Sequence, residues 1–164
     1  MSRLSIVTST AMLAVLVLPV NAAEQTLRQQ LVGTWIMTSC DVKTPWCPNG
    51  NGSLALTGSG RYTLVIFARD RPKLTGANPI DRASVSADQY KGIGQGTVAQ
   101  FGTWSVNEAD KTLTQHVENS FFGGGQAGEF KFCVSLNGDE LKLVSSSGNN
   151  DPRDLGSGAT WKKR

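Results

Sequence analysis

The sequence is poor in the residues that carry most enzyme chemistry. It holds one histidine, His116, and three cysteines, Cys40, Cys47 and Cys133. A single imidazole allows at most one nucleophile and base pair of the usual kind, and no Gly-x-Ser-x-Gly elbow is present to present a serine. No Cys-x-x-Cys pair occurs, so no metal is expected, and nothing points to a cofactor. Gly92-Ile-Gly94-Gln-Gly96 lacks the full GxGxxG spacing and the βαβ setting of a dinucleotide loop, and reads instead as a lid or hinge. Charge is sparse as well. Sixteen Lys+Arg stand against 13 Asp+Glu in 164 residues, with no concentrated basic stripe, so a nucleic-acid partner is not expected. The carboxylates are scattered mostly in turns, which nominates no glycosidase pair. No catalytic residue is assigned on these grounds.

Long apolar runs are confined to the beginning of the chain. Arg3 supplies a positive start, Leu4 to Val20 are uncharged and apolar, and Val20-Asn21-Ala22 offers small residues for processing. Residues 1–22 therefore read as a secretory signal peptide, with an uncleaved anchor as the alternative, and residues 23–164 as the single domain. The expected location is periplasmic or secreted, with no stable membrane span after cleavage. In such an oxidising compartment three cysteines sum to one pair and one leftover thiol. Cys40 and Cys47 flank a proline-containing segment that cannot be regular strand, so a local Cys40–Cys47 bridge is the first choice, and pairing of either with Cys133 stays open.

What the mature chain does have is strand and turn. A short helical lead spans 24–31, and strands are expected over 33–40, 52–57, 61–68, 98–106, 111–119, 129–136, 140–145 and 159–163. Gly58-Ser-Gly60 and Asn137-Gly138 are hairpin signals. A short helix with Ser86 or Asp88 as its cap follows the long connection 69–86, and its glycines keep it short. About eight strands joined mostly by short turns is the pattern of an all-β, antiparallel up-and-down barrel or a sandwich.

Alternation along each strand sorts the side chains. One set comprises Trp35, Met37 and Ser39; Tyr62, Leu64 and Ile66; Gln100, Trp104 and Val106; Leu113, Gln115 and Val117; Phe130, Phe132 and Val134; Leu141 and Leu143; and Trp161. The opposite set is polar, with Thr103, Ser105, Thr114, Lys131, Ser135 and Lys142, and it includes Cys133. One dry face and one wet face follow.

Leu31-Val-Gly-Thr-Trp-Ile-Met-Thr-Ser39, Gly60-Arg-Tyr62 followed by Arg69-Asp-Arg-Pro72, Phe101-Gly-Thr-Trp-Ser-Val106 and Thr112-Leu-Thr-Gln-His-Val-Glu-Asn-Ser-Phe121 occur in this order. Together they resemble the lipocalin-like domain of bacterial and fungal proteins, within the calycin group, over nearly the whole mature chain. The resemblance implies a lipocalin-like β-barrel with a central cavity for a small apolar or amphipathic molecule. It also implies that Gly33 and Trp35 close one barrel end, with Lys162, Lys163 or Arg164 packing across the indole. These two are structural residues under that reading. The family commonly carries His followed by His or Arg on the strand 111–119, where this chain has Gln115-His116; a glutamine binds but cannot act as a general base. Parity turns His116 outward, beside Glu118.

Candidate ligand-binding residues are the walls Met37, Leu64, Ile66, Leu113, Val117, Phe130 and Phe132, with Tyr62, Gln100 and Gln115 as polar handles. Arg71, in Arg69-Asp70-Arg71-Pro72, is the candidate rim residue for an anionic head group, against the plainer reading of a loop ion pair with Asp70. The first functional reading is an exported binding or sequestering protein. Its alternatives are an isomerase or cyclase on the same barrel, and an envelope interaction or inhibitor protein that uses the loops 41–51 and 69–86.

Overall fold

A computed structural model describes residues 25–41, 47, 50–73, 85–121, 128–146 and 158–164. The leader read over 1–22 lies outside the described residues, as do most of the loop 41–51 and part of the connection 69–86. The elements in chain order are α1 (Leu27–Leu31), β1 (Gly33–Cys40), β2 (Gly50–Leu56), β3 (Arg61–Ala68), α2 (Ala87–Gln95), β4 (Thr97–Asn107), β5 (Thr112–Ser120), β6 (Glu129–Asn137), β7 (Glu140–Ser145) and β8 (Ala159–Lys163). All eight strands are antiparallel to their neighbours, and β1 pairs with β8 through Trp35↔Lys163 and Met37↔Trp161, which closes the barrel. Closure leaves no unpaired sheet edge.

Several boundaries shift from the sequence expectation for visible reasons. β2 starts at Gly50 rather than residue 52 because β3 runs straight to Ala68 and pairs with it there. β5 starts at Thr112 because Lys111 adopts φ 54 and ends the turn, while Asp110 accepts a hydrogen bond from the Thr112 N–H at 3.0 Å. The lead helix is shorter than 24–31: Thr26 caps it in a reciprocal capping box with Gln29. The pairing register jumps between Met37 and Ser39, so Ser39, expected inside, is exposed and Cys40 is buried in its place.

Because the strands are consecutive and antiparallel, the connections alternate between the two ends. Those over 57–60, 108–111 and 138–139 are short and share one end; those over 41–49, 69–96, 121–128 and 146–158 are longer and share the other. The short-turn end is sealed. Trp35 is fully buried, its Nε1 donates to the Leu31 carbonyl at 2.8 Å, and the Lys163 ammonium lies 5.2 Å from its ring centroid. Lys163 Nζ also donates to the Gln30 carbonyl at 2.7 Å. Gly33, at φ +146, makes room for that lysine: a Cβ there would stand 2.8 Å from Lys163 Cε. Trp104 repeats the device, with its Nε1 donating to the Thr57 carbonyl at 3.0 Å and the Arg28 guanidinium 4.7 Å from its ring. The Glu108 carboxylate accepts from the Leu27 and Arg28 N–H groups, which ties α1 to the β4–β5 turn.

Cys40 and Cys47 form a disulfide, with Cα atoms 5.6 Å apart, and Cys133 is an exposed free thiol. The bridge sits at the end of β1 on the long-connection side.

Candidate functional site

The candidate site is the barrel interior, built by the alternation of every strand. Met37 on β1, Leu64 and Ile66 on β3, Leu113 and Val117 on β5 and Phe132 on β6 are all buried, and Phe130 is half-buried nearer the long-connection end. Against this apolar wall stand few polar groups. Among the described residues Thr97, Gln100 and Gln115 are the only buried polar or charged side chains outside the hydrophobic core set, and no buried side chain is ionised.

Gln100 on β4 and Gln115 on the adjacent β5 are neighbours on the inner wall, with Gln100 Nε2 donating to Gln115 Oε1 at 3.4 Å, a long and therefore weak hydrogen bond. Each amide keeps most of its hydrogen-bonding capacity unused by that contact. Tyr62 is 1% exposed and its hydroxyl has no hydrogen-bond partner among the described protein groups. Burial pushes the phenol well above its ordinary pKa, and the Glu118 charge acts in the same direction, so the group stays a neutral donor. The Trp161 indole Nε1–H is likewise buried and unpartnered. An orphaned buried donor costs about 1–3 kcal/mol, so two in one interior call for a reason.

Trp161 was visible in the sequence as an inward residue but not as a polar one. An indole N–H is a donor only, so on a buried strand it demands an acceptor; that signal was available. The room for its ring was not. Gly52 lies beneath it, and a Cβ there would stand 3.0 Å from Ile66 Cγ1 and 3.3 Å from both Met37 Cβ and Trp161 Cζ3. Gly102 is a second hidden requirement. A Cβ at that position would run into the His116 carbonyl oxygen, because β4 and β5 close together at a bulge where Phe101 pairs with Asn119 and Gly102 with Val117. Glu118, the skipped residue, turns outward to a two-point pair with Arg61, whose Nη2 lies 2.8 Å from its Oε2.

Arg71 does not join the interior set. Its guanidinium lies 4.0 Å from the ring centroid of Phe67, whose side chain alternates outward from Ile66 and Ala68. His116 is half exposed on the outer wall, with Nδ1 3.5 Å from Glu129 rather than beside Glu118, which is taken by Arg61. Among the described residues no three His, Cys, Asp or Glu side chains are grouped to hold a metal ion.

An interior of this kind sets the chemistry of what fits. A phenol, an indole N–H and two carboxamides supply neutral donors and acceptors, and among the described residues no buried charge is present to offset an ion taken out of water. A family model described as a lipocalin-like domain matches residues 29–164. No curated protein matches the chain.

Proposed function

This chain belongs to the lipocalin-like domain family, and from that premise we propose that it binds a small, uncharged, predominantly apolar molecule inside its barrel. The observation that carries the reading is the pair of buried donors, Tyr62 Oη and Trp161 Nε1, left unpartnered in an apolar interior that also holds Gln100 and Gln115. A ligand acceptor would relieve a desolvation cost already present in the folded protein, which turns that cost into selectivity for a molecule with an acceptor. Met37, Leu64, Ile66, Leu113, Val117, Phe130 and Phe132 form the surrounding wall in this proposal. The role is binding or sequestering.

The same proposal places the protein outside the cytoplasm, with residues 1–22 as a cleaved leader and 23–164 as the functional domain. A disulfide between Cys40 and Cys47 is consistent with an extracytoplasmic location, and among the described residues no helix is long and apolar enough to cross a membrane.

Native mass spectrometry of the mature protein from its exported fraction tests the reading. A bound species of small-molecule mass that is released on denaturation is expected. Titration with prodan, a naphthalene dye carrying a ketone, gives a second readout: a blue-shifted, saturable emission is expected. An unliganded mass together with no saturable dye binding would refute interior binding.

A further inference from the structure

Gly92 of α2 and Gly96, the helix's C-cap, which interior binding does not use, have partners on the outer rim. A Cβ at Gly92 would stand 2.7 Å from Pro72 Cγ, and one at Gly96 would stand 3.1 Å from the Cβ atoms of both Ala68 and Arg71. The Ala68 N–H donates to the Gly96 carbonyl at 2.7 Å. The helix is therefore seated directly against Arg71 and Pro72: a Cβ at Gly92 would force the Pro72 ring aside, and one at Gly96 would be a tight fit. On the far side of the segment 69–73, Arg71 covers Phe67 at 4.0 Å and Arg69 Nη2 donates to Asn51 Oδ1 at 3.3 Å. Both arginines are thereby held against strand neighbours. The cation–π contact consumes none of the five N–H donors of Arg71.

Between these contacts lies a cleft of ≈ 260 Å³ lined by Asn51, Phe67, Ala68, Arg69, Arg71 and Lys73. Three of the six lining residues are cations and none is acidic: Asp70, although next in sequence to both arginines, is not in the lining. Among the described residues no carboxylate forms a salt bridge with Arg69, Arg71 or Lys73. We propose that this cleft is a binding site for a phosphate group, separate from the barrel interior and positioned by the close packing of α2 on residues 69–73. Three cations exceed what one singly charged carboxylate requires, and two guanidinium forks with an ammonium match a doubly charged tetrahedral oxyanion. The phosphate can be free or carried by a lipid as a phosphomonoester; both present a doubly ionisable tetrahedral oxyanion, so the chemistry of recognition is the same.

Inorganic phosphate titrated into the isotopically labelled mature protein at low ionic strength is the direct test, read by amide chemical shifts. Saturable shifts confined to Asn51 and residues 67–73 are expected. Arg69→Gln and Arg71→Gln should each weaken the apparent affinity about tenfold, the loss of one charge-assisted hydrogen bond. Lys162→Gln, which removes a cation at the opposite end of the barrel beside Asp139, should leave it unchanged. Gly92→Ala should weaken binding without removing any charge, a result that a purely electrostatic surface effect does not produce. Sedimentation with phosphatidylcholine vesicles, with and without phosphatidic acid, a lipid phosphomonoester, identifies the source. Arg71-dependent binding to the anionic vesicles assigns the site to a lipid headgroup, and binding of inorganic phosphate alone assigns it to a soluble phosphate. Shifts spread over the whole surface, or an equal effect of Lys162→Gln and Arg71→Gln, would overturn the proposal.

Discussion

Replacing Tyr62 by phenylalanine separates the cost of the interior from its use. The ring stays in place, because its packing is with Leu56 and Gly102 opposite on β2 and β4 and with the buried wall around it. Only the hydroxyl leaves, and in the ligand-free barrel that hydroxyl is buried without a protein partner. An unsatisfied buried polar group costs about 1–3 kcal/mol, so Tyr62→Phe should stabilise the ligand-free protein by about 1 kcal/mol. In thermal unfolding that corresponds to a rise of roughly 3 °C for a domain of this size. Binding should move the other way. Loss of a donor to the ketone of prodan should weaken its binding by about 1 kcal/mol, or roughly fivefold, and shift its emission further to the blue. Opposite signs in the two assays are the signature. A destabilised Tyr62→Phe protein with unchanged dye affinity would mean that the hydroxyl is satisfied within the folded chain, and would refute the argument that it is held in reserve for a ligand.

Gly102→Ala should cost at least about 1–3 kcal/mol in urea unfolding, since its Cβ meets the backbone oxygen of His116 rather than a movable side chain; an unchanged midpoint would contradict the close approach of β4 and β5. Thiol titration of the native protein should find one reactive cysteine, Cys133, and reduction should lower stability by about 2 kcal/mol, as expected for a bridge closing a seven-residue separation. Acid should weaken the fold through two surface carboxylates. Arg61 lowers the pKa of Glu118 by hydrogen bonding and charge, and Lys131 does the same for Glu129, so both contributions are present above the ordinary glutamate value of 4.5 and lost as pH falls through the depressed folded values. Glu118→Gln should flatten that acid-side slope, and an unaltered slope in urea midpoints measured against pH would remove the pair from the account.

The strands were legible because each carries a period-2 pattern that one chain segment states by itself. Tyr62, Gln100 and Gln115 fall inside as their parity requires, and Cys133 falls outside with Lys131 and Ser135. The Asn137-Gly138 turn was equally plain, and Gly138 sits at φ 59 as a tight hairpin demands. Ser39 was misplaced because a bulge breaks the period without leaving a compositional mark. The register jump at Met37/Ser39 is fixed by pairing with β8, more than a hundred residues away in the chain, and nothing between Gly33 and Cys40 announces it. Gly52, Gly92 and Gly102 were unreadable for the same reason: their requirement is a distance to another segment, Trp161, Pro72 or His116, and a single sequence lists no such distances. The polar partners were also partly hidden. His116 sits beside Glu129 because β5 and β6 pair His116↔Glu129, whereas Glu118 two residues on is diverted to Arg61 by the bulge opposite Gly102.

The two barrel ends divide the work, and the division follows from connection length. At the short-turn end each turn has little freedom to begin with, and the indoles of Trp35 and Trp104 are fixed by hydrogen bonds to Leu31 and Thr57 and covered by Lys163 and Arg28. Substitution there removes packing and buried hydrogen bonds together, so its effect falls on stability. At the other end the third cation and aromatic pair, Arg71 on Phe67, covers an outward ring instead of an interior plug and leaves its donors unused by any carboxylate among the described residues. The same contact chemistry therefore closes the barrel where the turns are short and presents charge where the connections are long. Long connections on a rigid scaffold are where binding specificity is usually placed. Removing Arg71 should leave the unfolding midpoint within about 0.5 kcal/mol of the parent, as for an ordinary surface change, whereas removing Trp35 should cost about 3–5 kcal/mol.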